Sequence, residues 1–345
     1  MKVAVIGAGS WGTAIAQLLA TNGNNVGLWA RRAEVANSIN RIHVNPDYVS
    51  DVMLSEDIVA TTSIADALKH ADAAALVVPS ALVRGAAEAA APYLPNDMPV
   101  VICSKGVEAK TGLVPLAVFA DVVGHPERLA ALSGPNHAEE VVRGIPAATV
   151  IASSSPDTAA LFRDLFAAPT FRTYTSDDVL GVELCAAFKN VIAIAVGVSY
   201  GLGYGDNTAA VLMTRGQAEM SRLVARAGGN VLTCMGLAGT GDLIATCMSR
   251  HSRNRMFGEA LAHGESVDDY TARTHMVVEG SVACKTLDVL SKRYDVELPI
   301  TQMVRGMVWE GLDPHEVGAI LAARPLKPEL YGIDVPPQHE WGDEI

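Results

Sequence analysis

The sequence predicts an α/β fold whose first part is a doubly wound, mostly parallel sheet and whose second part is all helix. Three observations carry that prediction. Short apolar runs alternate with helical patterns through residues 1–178, strand signals fade after about Asp178, and long apolar helical patterns continue to residue 323. Alternation of the first kind implies a parallel sheet covered on both faces. The expected division is 1–178, 179–323 and a tail at 324–345. The tail is rich in proline and acid, a composition that wraps a surface or frays.

The elements follow in order. The apolar run at residues 1–6 leads into Gly7-Ala8-Gly9-Ser10-Trp11-Gly12, and residues 13–19 then take a helical pattern. Strand, tight turn and helix start is the order in which spaced glycines bind a dinucleotide. The first glycine makes the turn, the second lets backbone N–H groups approach a pyrophosphate, and the third packs helix on strand. Free N–H groups at the helix start favour the anion. This is a Rossmann-like signature. Residues 25–30, 58–61, 73–78, 100–103, 129–132 and 147–152 read as further strands, with 171–174 as the last. Alanine-rich stretches such as 81–91 supply the intervening helices. Beyond the boundary, residues 182–198, 208–226, 253–263, 282–294 and 300–309 read as helices.

Bulk properties narrow the function. A chain of 345 residues fits about two domains, and 50% hydrophobic content excludes wholesale disorder. A net charge of −12 argues against nucleic-acid binding, so any phosphate ligand must be held by local cations and backbone donors. The five cysteines (Cys103, Cys185, Cys234, Cys247, Cys284) form no C-x-x-C pair, which argues against zinc, any other metal site or a disulfide framework. A reducing, cytoplasmic setting is expected. No charged region followed by an apolar one opens the chain, and the longest apolar run, near residues 191–198, is far below the roughly 20 residues of a membrane span.

Six groups of residues carry candidate chemistry. Where a dinucleotide fold that takes NAD places an acid after its second strand, this chain has Arg31 and Arg32. Two guanidinium groups suit a 2′-phosphate, hence NADP with NADPH preferred and NAD possible; a solvated pair opening the next helix is the plain alternative. Around Lys189 and Asn190 the sequence is apolar on nearly every helical face, so both should be buried. Burial lowers a lysine pKa toward the range of acid–base catalysis, although a structural ion pair would account for the residue too.

Lys105 follows a strand, at the carboxyl end of the sheet where such folds bind ligands, although a solvated loop charge is the plain alternative. Gly134-Pro135-Asn136-His137-Ala138-Glu139 follows another, with Asn136 a candidate helix N-cap. Further on, Gly236-Leu237-Ala238-Gly239-Thr240-Gly241 reads as a turn delivering Asp242 to a helix start, either to pair a lysine or to cap. The string from Ser249 to Arg255 crowds cations with small donors, as a phosphate site or an exposed basic turn would.

In this order the motifs resemble the bacterial NAD(P)-dependent glycerol-3-phosphate dehydrogenases. The matching strings are Gly7 to Ala14, Ser104-Lys105-Gly106, Ser133-Gly134-Pro135, Phe188-Lys189-Asn190-Val191, Gly205-Asp206-Asn207, Thr214-Arg215-Gly216, Gly239 to Leu243, Ser252-Arg253-Asn254 and Val278-Glu279-Gly280. The resemblance runs to about residue 323. It implies Lys189 as the base at the C2 hydroxyl, with Lys105 and Asp242 completing the polar network. It implies substrate contacts from Lys105, Gly134, Asn136, Lys189, Asp242, Ser252, Arg253 and Asn254, with Arg253 on phosphate. It implies cofactor contacts from Gly7, Gly9, Ser10, Trp11, Gly12, Arg31, Arg32, Lys105, Ala138, Arg253, Val277 and Glu279.

A phosphorylated triose as substrate and a homodimer as assembly are expected, with phospholipid supply as the role. Alternatives are a 3-hydroxyacid dehydrogenase and a catalytically silent NADP-binding sensor. The chain departs from the family pattern at Asn136 (usually Ser or Thr), at Cys185 (usually Gly, one turn before the base, where the larger side chain would crowd Lys189), in residues 197–202, at Ser281 and in the tail.

Overall fold

The computed structural model describes residues 1–333. Eight strands form one sheet: β1 (Lys2–Ile6), β2 (Asn25–Trp29), β3 (Ile58–Thr61), β4 (Ala73–Leu76), β5 (Val100–Ile102), β6 (Leu129–Ser133), β7 (Ala147–Ala152) and β8 (Phe171–Ser176). Their order is β3-β2-β1-β4-β5-β6-β7-β8, and every neighbouring pair is parallel except β6–β7. The chain winds from β1 to one side and resumes at β4 on the other, leaving a crevice at the reversal.

The helices of this part are α1 (Ser10–Thr21), α2 (Ala33–Ile42), α3 (Ile64–Leu68), α4 (Val83–Ala90), α5 (Pro115–Val123), α6 (Ala138–Val141) and α7 (Pro156–Phe166). Side-chain alternation along β1 sorts them into layers. Val3 and Val5 join the core with Ile15 and Leu19 of α1, Ile39 of α2 and Phe162 of α7. Ala4 and Ile6 face the opposite core with Val83 and Ala87 of α4 and Phe119 of α5. Both faces of the central strands are dry, which is why they read as continuous apolar runs.

From Val179 to Ala322 every regular element is helical: α8 (Val179–Gly201), α9 (Asp206–Ala227), α10 (Asp242–Met248), α11 (Arg253–Ala262), α12 (Val267–Thr274), α13 (Glu279–Arg293), α14 (Pro299–Trp309) and α15 (Pro314–Ala322). Asp178 begins α8 by accepting the Gly181 N–H at 2.9 Å. Residues 181–199 of α8 are all buried, so the other helices pack around it. Packing against α11 brings backbones together: a Cβ on Gly258 would lie 2.2 Å from the Ile194 carbonyl oxygen.

At 23 residues, α8 is by length and composition long enough to cross a bilayer, although Glu183, Lys189 and Asn190 interrupt its apolar sequence. Its burial inside the protein (89% of the apolar window) marks it as a core helix instead.

Two of the buried glutamates in this core do structural work at helix starts. Glu183 accepts the Leu116 N–H at 2.9 Å at the start of α5, and burial pushes its carboxyl up to about 8. Glu219 accepts the Ile300 and Thr301 N–H groups at 2.6 and 3.2 Å at the start of α14, and burial pushes it up to about 7. Of the tail, residues 324–333 lie on the helical surface, with Arg324 and Lys327 both on Glu297 (2.8 and 2.7 Å). The remainder of the tail expectation falls outside the described residues.

Candidate active site

The glycine turn sits in the crevice. Gly7 (φ +123°) donates its N–H to the Trp29 carbonyl at the end of β2, and a Cβ there would meet the Val77 carbonyl beyond β4 at 2.2 Å. A Cβ on Gly12 would lie 1.8 Å from the Gly7 oxygen, so the helix start can press on the strand only without one. Gly9 is different: a Cβ there would meet nothing within 4 Å. That open space in front of the N-terminus of α1 is what a pyrophosphate needs. Trp11 adds a buried Nε1 with no partner among the described residues. The residues present therefore fit a dinucleotide.

Arg31 and Arg32 follow β2, at the same carboxyl end of the sheet as the glycine turn, and both are exposed. Arg31 makes no ion pair among the described residues, whereas Arg32 pairs with Asp47 and approaches Glu34 at 3.8 Å. The sequence shows no carboxylate in the turn beside this pair, but the fold brings Asp47 to Arg32 and leaves Arg31 without one among the described residues.

The second centre lies where the carboxyl ends of β5 and β6 meet the helices. Lys189, halfway along α8, is 8% exposed, and its Nζ donates to Asp242 Oδ1 at 2.5 Å and Thr246 Oγ1 at 3.1 Å. Lys105, just past β5, donates to the other carboxylate oxygen, Asp242 Oδ2, at 2.7 Å and to the Gly134 carbonyl, just past β6, at 3.1 Å. One carboxylate thus holds two ammonium groups from opposite halves of the chain. The wide helical turn Leu237–Gly241, closed by Gly241 N–H to Gly236 O, runs directly into α10 and sets Asp242 facing α8. Such five-residue turns recur at functional sites. Of the two readings left open for Asp242, pairing holds; no side-chain cap begins α10.

The charges decide what this cluster can do. Burial drives the Lys189 ammonium down to about 8, although Asp242 opposes the shift and Lys105 reinforces it. Burial would raise the Asp242 carboxyl, but the two lysines outweigh it and hold the group below its ordinary value. The result is a constant anion beside an amine that titrates near neutrality, the requirement for reversible proton transfer.

Beside Lys189, Asn190 is tied to two more of the predicted residues, Asn254 and Glu279. Asn190, next to the lysine, receives the Asn254 amide on Oδ1 at 3.0 Å and donates to Glu279 Oε2 at 3.3 Å. Asn254 Oδ1 accepts the Gly280 N–H at 2.9 Å, tying α8, α11 and α13 together. Ser252 begins α11 by accepting the Arg255 N–H. Arg253 projects from the first turn, exposed and without a partner among the described residues. Arg255 is structural: it bonds Glu259 and the Met248 carbonyl and lies over the Tyr200 ring at 4.6 Å. Ala138, at the start of α6, is buried, and Val277 is exposed just before α13.

Two expectations change. Asn136 does not cap a helix; α6 starts one residue later from His137, and Asn136 instead donates its amide to Ala148 O on β7 at 2.9 Å. Its buried Oδ1 is left without a partner. Cys185, a suspected source of crowding, directs its Sγ to Cys234 Sγ at 3.6 Å. Thr246 was missed, since a threonine one turn after an aspartate signals nothing until the helix faces a lysine.

With this geometry in place, two family profiles match the chain: the N-terminus of NAD-dependent glycerol-3-phosphate dehydrogenase over residues 2–159 and its C-terminus over residues 178–319. The chain belongs to the NAD-dependent glycerol-3-phosphate dehydrogenase family. Among curated relatives of the family, glycerol-3-phosphate dehydrogenase (NAD(P)+) of Corynebacterium aurimucosum is 47% identical over 330 residues, covering 95% of this chain and 99% of the relative. That of Thermobifida fusca is 44% identical over 334 residues, covering 96% and 99%. Among solved structures, glycerol-3-phosphate dehydrogenase from Coxiella burnetii superposes with a TM-score of 0.89 at 34% identity, covering 94% of this chain and 99% of that one.

Proposed function

We propose that the chain interconverts dihydroxyacetone phosphate and sn-glycerol 3-phosphate with NAD(P)(H), working mainly toward glycerol 3-phosphate for phospholipid synthesis. The observation that carries this reading is the Lys105–Asp242–Lys189 cluster beside the dinucleotide crevice. Gly7, Gly9, Ser10, Trp11 and Gly12 would hold the pyrophosphate side, Arg31 and Arg32 the adenosine ribose, and Ala138, Val277 and Glu279 further parts of the cofactor. When bound, the nicotinamide supplies the hydride acceptor or donor at C2.

The protein residues do the rest. In oxidation Lys189 takes the C2 hydroxyl proton as the neutral amine; in reduction its ammonium returns a proton to the carbonyl oxygen. Asp242 stays ionised and holds the amine in place. Lys105 shares that carboxylate while its other bond fixes Gly134, which carries the loop of Asn136. Asn136 would meet the substrate from that loop. Ser252, Arg253 and Asn254, at the start of α11, take the phosphate, with Arg253 as the unpaired cation.

The phosphate-directed cation separates this reading from a 3-hydroxyacid dehydrogenase, and an intact acid–base cluster counts against a silent sensor. Buried free thiols at all five cysteines support a reducing, cytoplasmic setting. Arg31 supports a preference for NADPH, and a homodimer is the proposed assembly.

Consumption of NADPH at 340 nm on adding dihydroxyacetone phosphate, with NADH alongside, tests the proposal; no consumption of either overturns it. Within it, Arg253→Ala should raise KM for dihydroxyacetone phosphate by about 10- to 100-fold, the worth of a charge-assisted hydrogen bond, with kcat changed far less. An unaltered KM would remove Arg253 from the phosphate site.

A further inference from the structure

The segment after α2 is fastened to the glycine turn. Asn45, fully buried, donates its amide to the Ala8 carbonyl at 3.0 Å and to Thr13 Oγ1 at 2.8 Å. Its own Oδ1 accepts the Asp47 N–H at 3.2 Å, which sets the next residues in a tight turn. Val49 continues it with a φ of +50°, a conformation that β-branched residues avoid unless their surroundings impose it. The anchoring delivers the Asp47 carboxylate to the guanidinium of Arg32.

Asp47 therefore stands at the ribose end of the crevice although it lies outside β2 and its following turn. In dinucleotide folds an acid at this place receives the ribose 2′-hydroxyl and repels a 2′-phosphate. Here the acid has a second effect. Arg32 is already neutralised, so a 2′-phosphate must displace Asp47 before it gains this cation. A 2′-hydroxyl needs no such exchange. Arg31, with no counterion among the described residues, remains the one ready phosphate ligand of the pair.

We propose that Asp47 is a specificity-determining residue: by occupying Arg32 it restrains NADPH affinity and lets the chain accept NADH as well. The inference rests on the dinucleotide reading above and deepens it. The ion pair is partly exposed, with side-chain exposures of 45% for Arg32 and 34% for Asp47, so its effect is moderate and salt-dependent.

Direct binding to the full chain tests it, by calorimetric titration with NADPH, NADH and 2′,5′-ADP and no turnover. Asp47→Ala should tighten NADPH and 2′,5′-ADP by about 3- to 10-fold, as expected for a surface pair plus one removed repulsion, and shift NADH less than about two-fold. The gain should fall below about two-fold in an Arg32→Ala background, and it should shrink as salt rises. Equal shifts for NADPH and NADH, no shift, or the whole gain retained without Arg32 would each overturn the assignment. If the wild-type chain binds neither dinucleotide, the cofactor reading fails and takes this inference with it. If it binds both and Asp47→Ala leaves their ratio unmoved, only the Asp47 assignment fails.

Discussion

Lys189→Ala is expected to lower kcat by about 10²- to 10⁴-fold, the range of a positioned acid–base group, while NADPH still binds. Asp242 keeps Lys105 as a partner in that variant, so no buried charge is stranded and the fold should survive. Rapid-mixing rates and a parallel binding titration check both halves. Near-normal kcat would end the role of Lys189 as base. The wild-type pH profile gives a second check. With the Lys189 ammonium driven by burial to about 8, oxidation of glycerol 3-phosphate, which needs the neutral amine, should rise through that pH. Reduction needs the ammonium and should fall through it. Profiles of kcat/KM that move together in the two directions would exclude this assignment.

Asp242→Ala should be the most damaging single substitution. It leaves two ammonium groups in a largely dry site with no counterion, a loss on the order of 3–5 kcal/mol when one partner of a buried pair is removed. Denaturant unfolding measures it. The milder Asp242→Asn keeps the shape and removes the charge. Lys189 then loses the attraction that opposes burial but keeps the repulsion from Lys105, so its pKa should fall further. The rise of the oxidation profile should move to lower pH, together with a large drop in kcat. An unshifted profile would show that Asp242 does not control the amine.

Much of this was legible in the chain. The strands came from apolar runs that only a sheet covered on both faces requires. The crevice came from Gly7, Gly9 and Gly12, whose spacing obeys local backbone sterics. Lys189 was readable because an ammonium within an apolar helix contradicts its neighbours. The misreadings have a common cause. Asn136 carries the local pattern of a cap, yet β7 runs antiparallel beside β6 and offers the Ala148 carbonyl to its amide. A long-range partner outcompeted the local one. Cys185 likewise turned toward Cys234, 49 residues away.

By itself the sequence determined what periodicity and short-range sterics control: the alternating sheet, the helical second half, the glycine turn and the identity of the buried amine. Only the tertiary structure decided which charges meet. Asp242 joins Lys105 and Lys189 across 137 and 53 residues, and Asp47 reaches Arg32 through a loop pinned by Asn45. Electrostatic interaction depends on distance and burial in space, and neither is encoded in spacing along the chain.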